Sequence, residues 1–196
     1  MSPDIDTKQI SLYKNTFPQR ICTTLFNKLY QEIPWSQPQI TLFGKTHPIP
    51  RQQCWMGDEH VNYSYSNVQM KPIPWADTVS FIKRFVETIC NTTFNSVLIN
   101  LYRDGNDSNG WHSDNEKELG THPLIASFNL GESRAFKLKN KTTKELYAYQ
   151  LDAGDLLIMK KGVQAEWLHT IPKTKKVKQP RINLTFRSIY SEPDRF

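Results

Sequence analysis

Trp111-His112-Ser113-Asp114 sets an imidazole and a carboxylate two positions apart. In an extended chain alternate side chains share a face, so His112 and Asp114 point the same way and can grip one metal ion. A second histidine would complete a two-histidine, one-carboxylate facial triad, which leaves coordination positions open and is the usual host of non-haem iron(II) in oxygenases. On its own the pair reads as a surface histidine beside an acid, so the choice turns on what else the chain offers. Among its five histidines (His47, His60, His112, His122 and His169), His169 alone lies between the predicted strand Asp155–Met159 and the strand beginning at Arg181. It follows Trp167-Leu168, a pair able to hold it against a core, and is assigned as the third ligand. His47 and His60 fall in a segment broken by Pro and Gly and read as surface or substrate-side residues; His122, in Thr-His-Pro, reads as a turn residue.

A second cluster is the heptapeptide Arg181-Ile182-Asn183-Leu184-Thr185-Phe186-Arg187. Its alternation is strict: Ile182, Leu184 and Phe186 suit a core, while Arg181, Asn183, Thr185 and Arg187 share the other face. Guanidinium groups form bidentate bonds to carboxylates and phosphates, so this face suits a dicarboxylate or phosphate groups. The alternative is a solvent-facing edge strand carrying ordinary surface arginines. Asn100 and Tyr102, again two apart, add an amide and a phenol that one pocket could share.

Two helices and many short strands are needed to position these groups. Residues 17–33 carry Ile21, Leu25, Phe26, Leu29, Tyr30 and Ile33 at helical spacing and stop at Pro34. Residues 75–91 repeat the pattern with Val79, Ile82, Phe85, Val86 and Ile89, and Asp77 or Thr78 is the expected N-cap. Between them, residues 39–72 alternate polar and apolar and are broken by Gly44, Pro48, Pro50 and Gly57, which predicts short strands and turns. Beyond residue 95 the expected strands are Val97–Tyr102, Leu124–Leu130, Arg134–Lys139, Leu146–Leu151, Asp155–Met159 and Arg181–Ser188. A polar loop is expected over Asp104–Gly110, and a turn at Asn140–Lys144 makes a hairpin. The fold class is therefore α+β, with a β-sandwich or small barrel as its body.

Composition narrows the function. The length of 196 residues suits one domain. A formal charge of +6 favours polyanionic partners through phosphate neutralisation, without demonstrating one. Cys22, Cys54 and Cys90 are odd in number, lack a Cys-x-x-Cys pair and read as reduced thiols. No apolar run is long enough to cross a bilayer, and the first residues lack the layout of a signal peptide, so an intracellular protein is expected, cytoplasmic if bacterial and nuclear if eukaryotic. Neither a phosphate-binding loop nor a nucleophile elbow is present.

His112-x-Asp114, His169 and Arg181-x-Asn183-x-Thr185-x-Arg187, in that order, resemble the signature of the AlkB family of dioxygenases dependent on iron(II) and 2-oxoglutarate. Val97-Leu98-Ile99-Asn100-x-Tyr102-x-Asp104-Gly105 is similar to the strand leading into that family's active site. Phe43-Gly44-Lys45, Pro50-Arg51 and Tyr63-Ser64-Tyr65 resemble its branch that repairs alkylated duplex DNA. The resemblance covers most of residues 39–189. It implies a double-stranded β-helix (jelly-roll) core over residues 93–190, preceded over residues 1–92 by helices and a nucleotide-recognition lid. His112, Asp114 and His169 would bind iron. Arg181 would hold the distal carboxylate of 2-oxoglutarate with help from Asn100 and Tyr102, Arg187 would face the metal end, and Asn183 and Thr185 would line the same pocket.

The implied reaction is oxidative demethylation of 1-methyladenine and 3-methylcytosine in single- or double-stranded DNA, with dioxygen consumed and formaldehyde released, by a monomer. Tyr65 and His112 would sandwich the flipped base, and Glu116 would favour its positive charge. Phe43 would fill the gap left in the stack, with Gly44 and Lys45 on the same tip. Arg51 and Lys173, Lys175, Lys176 and Lys178 would meet phosphates. Asn115 stands where close relatives often carry an acid, which puts one polar contact to the base in doubt. The alternatives are the same chemistry on RNA or on a protein side chain, and a non-catalytic jelly roll with a structural metal. The intact dicarboxylate-facing strand argues against the last.

Overall fold

Every residue of Arg181–Thr185 is buried, on the polar face as well as the apolar one. A strand buried on both faces does not turn either face to solvent, so Arg181 is not a surface arginine. The computed structural model shows the strand at the centre of the molecule. The model describes residues 1–42, 44–59, 61, 63–65, 68–70, 72–176 and 179–190, excepting the side chains of 42, 63–65 and 68–70.

The chain opens with two short strands, β1 (Ile5–Asp6) and β2 (Ile10–Tyr13), and the helix α1 (Gln19–Glu32). Four hairpin strands and an edge strand follow: β3 (Gln39–Leu42), β4 (Lys45–Pro48), β5 (Gln52–Gly57), β6 (Tyr63–Tyr65) and β7 (Val68–Met70). The helix α2 (Asp77–Cys90) leads to β8 (Ser96–Tyr102), β9 (Asn109–His112) and a 3-10 turn at Lys117–Leu119. Next come β10 (Ile125–Gly131), β11 (Arg134–Asn140), β12 (Leu146–Leu151) and β13 (Leu156–Met159). A single helical turn, α3 (Val163–Glu166), precedes β14 (Trp167–Ile171) and β15 (Arg181–Arg187).

From β8 onward the strands divide between two sheets, alternating except at the β11–β12 hairpin. The major sheet runs β1-β2-β13-β10-β15-β8-β5 and the minor sheet β12-β11-β14-β9. Pairings between these strands are antiparallel. Eight strands, four in each layer, therefore form a jelly roll, as expected. The major sheet is widened by β5 at one edge and by β2 and β1 at the other, so it spans the boundary drawn near residue 92.

The major sheet's outer face is covered by both helices. Leu25 and Leu29 of α1 and Val79, Ile82 and Val86 of α2 pack with Phe128, Leu130, Ile182, Leu184 and Phe186. These are the apolar positions of the helical spacing and of the strand alternation. Between the layers Phe136, Leu138, Leu157, Met159, Trp167 and Ile171 form a second core. That core occupies only part of the interlayer space.

Some local readings differ. The N-cap of α2 is Ala76, with no side-chain cap, and Asp77 sits in the first turn, where its charge favours the helix dipole. Strands β1, β2, β9 and β14 were not anticipated, β9 emerging from the predicted polar loop. Asn109–His112 has no apolar alternation because it is an edge strand, with Asn109 and His112 lining a cavity. The β11–β12 hairpin is as expected, its turn held by Asn140 Oδ1 accepting the backbone N–H of Thr142 and Thr143, both at 2.9 Å.

Gly131 ends β10 at φ +83°, and a Cβ there would lie 2.4 Å from Pro180 O and 2.8 Å from Phe26 Cε2. α1 closes on the sheet at this point. The left-handed backbone alone costs a substituted residue about 1–3 kcal/mol, and the backbone clash adds to it. Gly131→Ala should lower the denaturant midpoint by at least that equivalent; an unchanged midpoint would show that this contact yields freely.

Candidate active site

The registers of β5, β8 and β15 set the inward side chains of the major sheet in rows. Tyr102 lies opposite Arg181, Asn100 between Gln53 and Asn183, Leu98 between Trp55 and Thr185, and Ser96 opposite Arg187. Six residue steps along the strand take Arg181 to Arg187, about 20 Å of rise. The rows therefore have two ends, and a cavity of about 260 Å³ lies along them beneath the minor sheet.

At one end the minor sheet delivers the histidines. His112 of β9 and His169 of β14 are register partners, their ring centroids 4.1 Å apart. Asp114 follows β9, and one ligand atom from each of His112, Asp114 and His169 lies within 4.8 Å of the others. His112 Nδ1 donates to Gly110 O at 2.8 Å, which directs Nε2 toward Asp114 Oδ1, 3.6 Å away. Asn109 Nδ2 donates to that Nε2 at 3.1 Å, occupying the lone pair a metal would take. His169 is stacked on Phe136 and its Nδ1 is buried without a partner.

Charge is organised around Asp114. Burial alone would raise its carboxyl, but the Arg187 guanidinium and then the two imidazoles outweigh that and hold it below the ordinary carboxylate range. Arg187 donates from Nε at 3.1 Å and Nη2 at 2.6 Å to Oδ2, leaving Oδ1 turned to the histidines. Burial pushes His169 down to about 3, opposed by Asp114, so its imidazole is neutral. An ionised carboxylate and a neutral imidazole are the protonation states that ligate a divalent cation. The three residues fit a metal ion.

At the other end Arg181 is fully buried. Its Nη2 donates to Asn129 Oδ1, while Nε and Nη1 have no partner. Burial draws its pKa down to about 10. Among the described residues no carboxylate pairs with it. A buried guanidinium with two unused donors facing a cavity fits a carboxylate of a small ligand.

All nine residues expected to bind metal or cosubstrate line this one cavity: His112, Asp114, His169, Asn100, Tyr102, Arg181, Asn183, Thr185 and Arg187. Asn183 and Thr185 are already engaged, Asn183 Nδ2 donating to Ser127 Oγ at 2.8 Å and Thr185 Oγ1 donating to Asn183 Oδ1 at 3.0 Å. Their part is to shape the wall. Glu116 lines the cavity with Oε2 buried and without a partner.

The expectation of a phosphate contact at Arg51 is corrected. Arg51 is buried in the cavity wall, donating from Nε to Asn100 Oδ1 at 2.9 Å and from Nη1 to Ser108 O at 3.4 Å. Residue 51 stands at the level of Tyr102, just before β5 pairs with β8, so its side chain turns inward. Asn115 is exposed and off the cavity, as are Gly44 and Lys45 on the β3–β4 turn. Phe43, His60 and Lys178 lie outside the described residues. So do the side chains of Tyr63, Ser64 and Tyr65, whose backbone forms β6. Lys173, Lys175 and Lys176 are exposed.

Sequence reasoning missed Trp55 and Leu98, which wall the cavity on its β5 side, and Gln164. Gln164 is buried in α3; its Oε1 accepts the Asp114 N–H at 2.9 Å and its Nε2 donates to Met159 Sδ. Lys141 Nζ donates to Gln164 O at 2.8 Å and Ser113 Oγ at 3.3 Å, tying the same segment from the hairpin. No short motif carries these roles. Supports of this kind are typically worth 10–100-fold in metal affinity. Gln164→Leu should weaken Co(II) binding, followed by visible absorption, by about that factor; unchanged affinity would show that Asp114 holds its place unaided.

Comparison with known proteins agrees with this geometry. The model of the 2OG-Fe(II) oxygenase superfamily matches residues 9–187. Alpha-ketoglutarate-dependent dioxygenase alkB homolog 3 of Mus musculus is 37% identical over 195 residues, covering 94% of this chain and 68% of that protein. DNA oxidative demethylase ALKBH2 of Bos taurus is 35% identical over 188 residues, covering 90% of this chain and 68% of that protein. The chain thus spans about two thirds of the length of these relatives. In fold it is similar to OsALKBH1, at a TM-score of 0.68 and 16% identity over 94% of this chain and 100% of that one. A prolyl hydroxylase from Trichoplax adhaerens gives 0.65 at 13% identity, over 96% of this chain and 86% of that one. With the superfamily model running through nearly the whole chain and the metal triad and Arg181 meeting in one cavity, this chain belongs to the AlkB family of 2-oxoglutarate- and iron(II)-dependent oxygenases.

Proposed function

We propose that the chain is an oxidative demethylase that removes alkyl groups from nitrogen atoms of damaged bases in DNA. The observation that carries the reading is the pairing, in one cavity, of a His-Asp-His cluster with a buried arginine that has unused donors. Relatives named as DNA oxidative demethylases support the choice of substrate. His112, Asp114 and His169 would hold iron(II), and Arg181 the distal carboxylate of 2-oxoglutarate. When bound, iron, 2-oxoglutarate and dioxygen supply the oxidising power, giving succinate, carbon dioxide and a hydroxylated N-alkyl carbon.

The chain's own residues bind, orient and exclude water. The bond from His112 Nδ1 to Gly110 O fixes the tautomer that presents Nε2. Arg187 keeps Asp114 ionised while leaving one oxygen free. Phe136 and Ile171 close the cavity on the minor-sheet side, and Met159 of β13 adds to the wall from the major sheet. The base must leave the stack to reach this depth, and methylation at a Watson–Crick nitrogen makes that less costly. 1-Methyladenine and 3-methylcytosine are cationic, which suits the partnerless Glu116 carboxylate oxygen. The hydroxymethyl product then releases formaldehyde and restores the base.

The cavity is complete within one chain, which supports a monomer. Tyr65 on β6 would stack on the flipped base, and Phe43, before the exposed Gly44 at φ +76°, would fill the gap in a duplex. The working compartment is then the nucleoid or nucleus. Methylated RNA offers the same bases and belongs in the same assay.

Anaerobic loading with iron(II) and 2-oxoglutarate, followed by oxygen, should release formaldehyde from a 1-methyladenine oligodeoxynucleotide. His112→Ala should abolish that release. Formaldehyde from RNA or peptide alone, or full activity in the variant, would refute the reading. Phe43→Ala should reduce turnover on duplex more than on single strands; equal loss on both would remove its wedge role.

A further inference from the structure

Tyr102 is flanked by two buried arginines. The guanidinium carbon of Arg181 lies 5.2 Å from the ring centroid and that of Arg134 lies 5.5 Å from it. Arg134 opens β11 in the minor sheet, is 1% exposed, and is not part of the cavity wall. Its fork is spent on three carbonyls: Nη1 donates to Asp104 O at 3.0 Å, and Nη2 to Asp107 O at 2.8 Å and Pro172 O at 2.7 Å. Its Nε is buried without a partner. Asp107, the nearest acid in the sequence of these contacts, gives its carboxylate to Arg103 instead, at 2.8 Å from both Nε and Nη2.

A buried cation hydrogen-bonded only to carbonyls, with no carboxylate in contact, is costly, so its place calls for a reason. The three carbonyls belong to the loop leaving β8 and the loop leaving β14, the segments that close the far end of the sandwich from the metal cluster. The flat fork fixes both loops relative to one another, which a single ammonium point charge cannot do. Its cation–π contact holds the Tyr102 ring, and the contact of that same ring with Arg181 orients the second guanidinium.

We infer that Arg134 is a positioning residue for the carboxylate end of the cavity, setting Tyr102 and Arg181 to receive the distal carboxylate without touching it. This rests on the reading that Arg181 binds that carboxylate. Arg134 acts on a ligand's far end and not on its metal-chelating end, so two ligands separate the roles. 2-Oxoglutarate reaches both ends; oxalate chelates a metal but has no distal carboxylate.

Calorimetric titration of the Mn(II)-loaded protein tests this without turnover. Arg134→Met should weaken 2-oxoglutarate at least tenfold and leave oxalate and Mn(II) affinity within twofold. General loss of structure would weaken all three together, and that outcome overturns the assignment. Arg134→Lys keeps the charge without the fork, and should weaken 2-oxoglutarate about threefold with oxalate unchanged. This milder variant decides the matter if the methionine variant does not fold, and wild-type affinity in it overturns the assignment. Arg181→Met separates the two readings. Loss there with none in the Arg134 variants removes the role of Arg134 alone, while no loss in Arg181→Met removes the carboxylate reading on which it rests.

Discussion

The bond between Arg187 and Asp114 joins the two layers where the chemistry must occur. One partner ends a central strand of the major sheet, and the other follows the edge strand of the minor sheet. Burial pushes a lone carboxyl toward its neutral form, which ligates cations poorly. With Arg187 on one oxygen, the carboxylate stays charged and its second oxygen faces both histidines. Buried ion pairs contribute little net stability because desolvation offsets attraction. The pair is better understood as fixing charge and direction than as holding the fold together.

The rest of the site follows from that constraint and from strand period. Because Arg181 and Arg187 share a strand face, fixing Arg187 at the metal end fixes Arg181 at the other end of the same ladder. The outward residues between them, Ile182, Leu184 and Phe186, are locked under α1 and α2, so the strand cannot slip by one residue without exchanging core and cavity faces. The cavity's cationic excess is also separated along the ladder. Arg187 is neutralised by Asp114, whereas Arg181 has no acidic partner among the described residues. A dianion with a metal-binding end and a free carboxylate matches that division of charge.

The parts of this design that repeat at a fixed period were legible in the sequence. The alternation of Arg181–Arg187, the helical spacing of Leu25 and Leu29 and of Val79, Ile82 and Val86, and the two-residue interval from His112 to Asp114 each signal a shared face. His169 was placed by its position between strands, although its own strand β14 was not read. What escaped were side chains whose roles depend on tertiary partners. Gln164 in a single helical turn, Arg134 at the head of a strand and Trp55 on an edge strand have no periodic mark. Arg51 read as a phosphate contact and Arg134 only as the start of a strand, because most arginines are exposed and only the meeting of distant loops buries these two. Strand β9 was hidden because a cavity-facing edge strand needs no apolar alternation.

A structure determined from crystals containing Mn(II) and 2-oxoglutarate tests the central claim most directly, with the manganese located by its anomalous scattering. The account predicts one manganese peak bounded by His112, Asp114 and His169, Asp114 still bonded to Arg187, and a carboxylate on the free nitrogens of Arg181. Manganese bound elsewhere, or Arg181 still without a carboxylate while 2-oxoglutarate is bound, would contradict it.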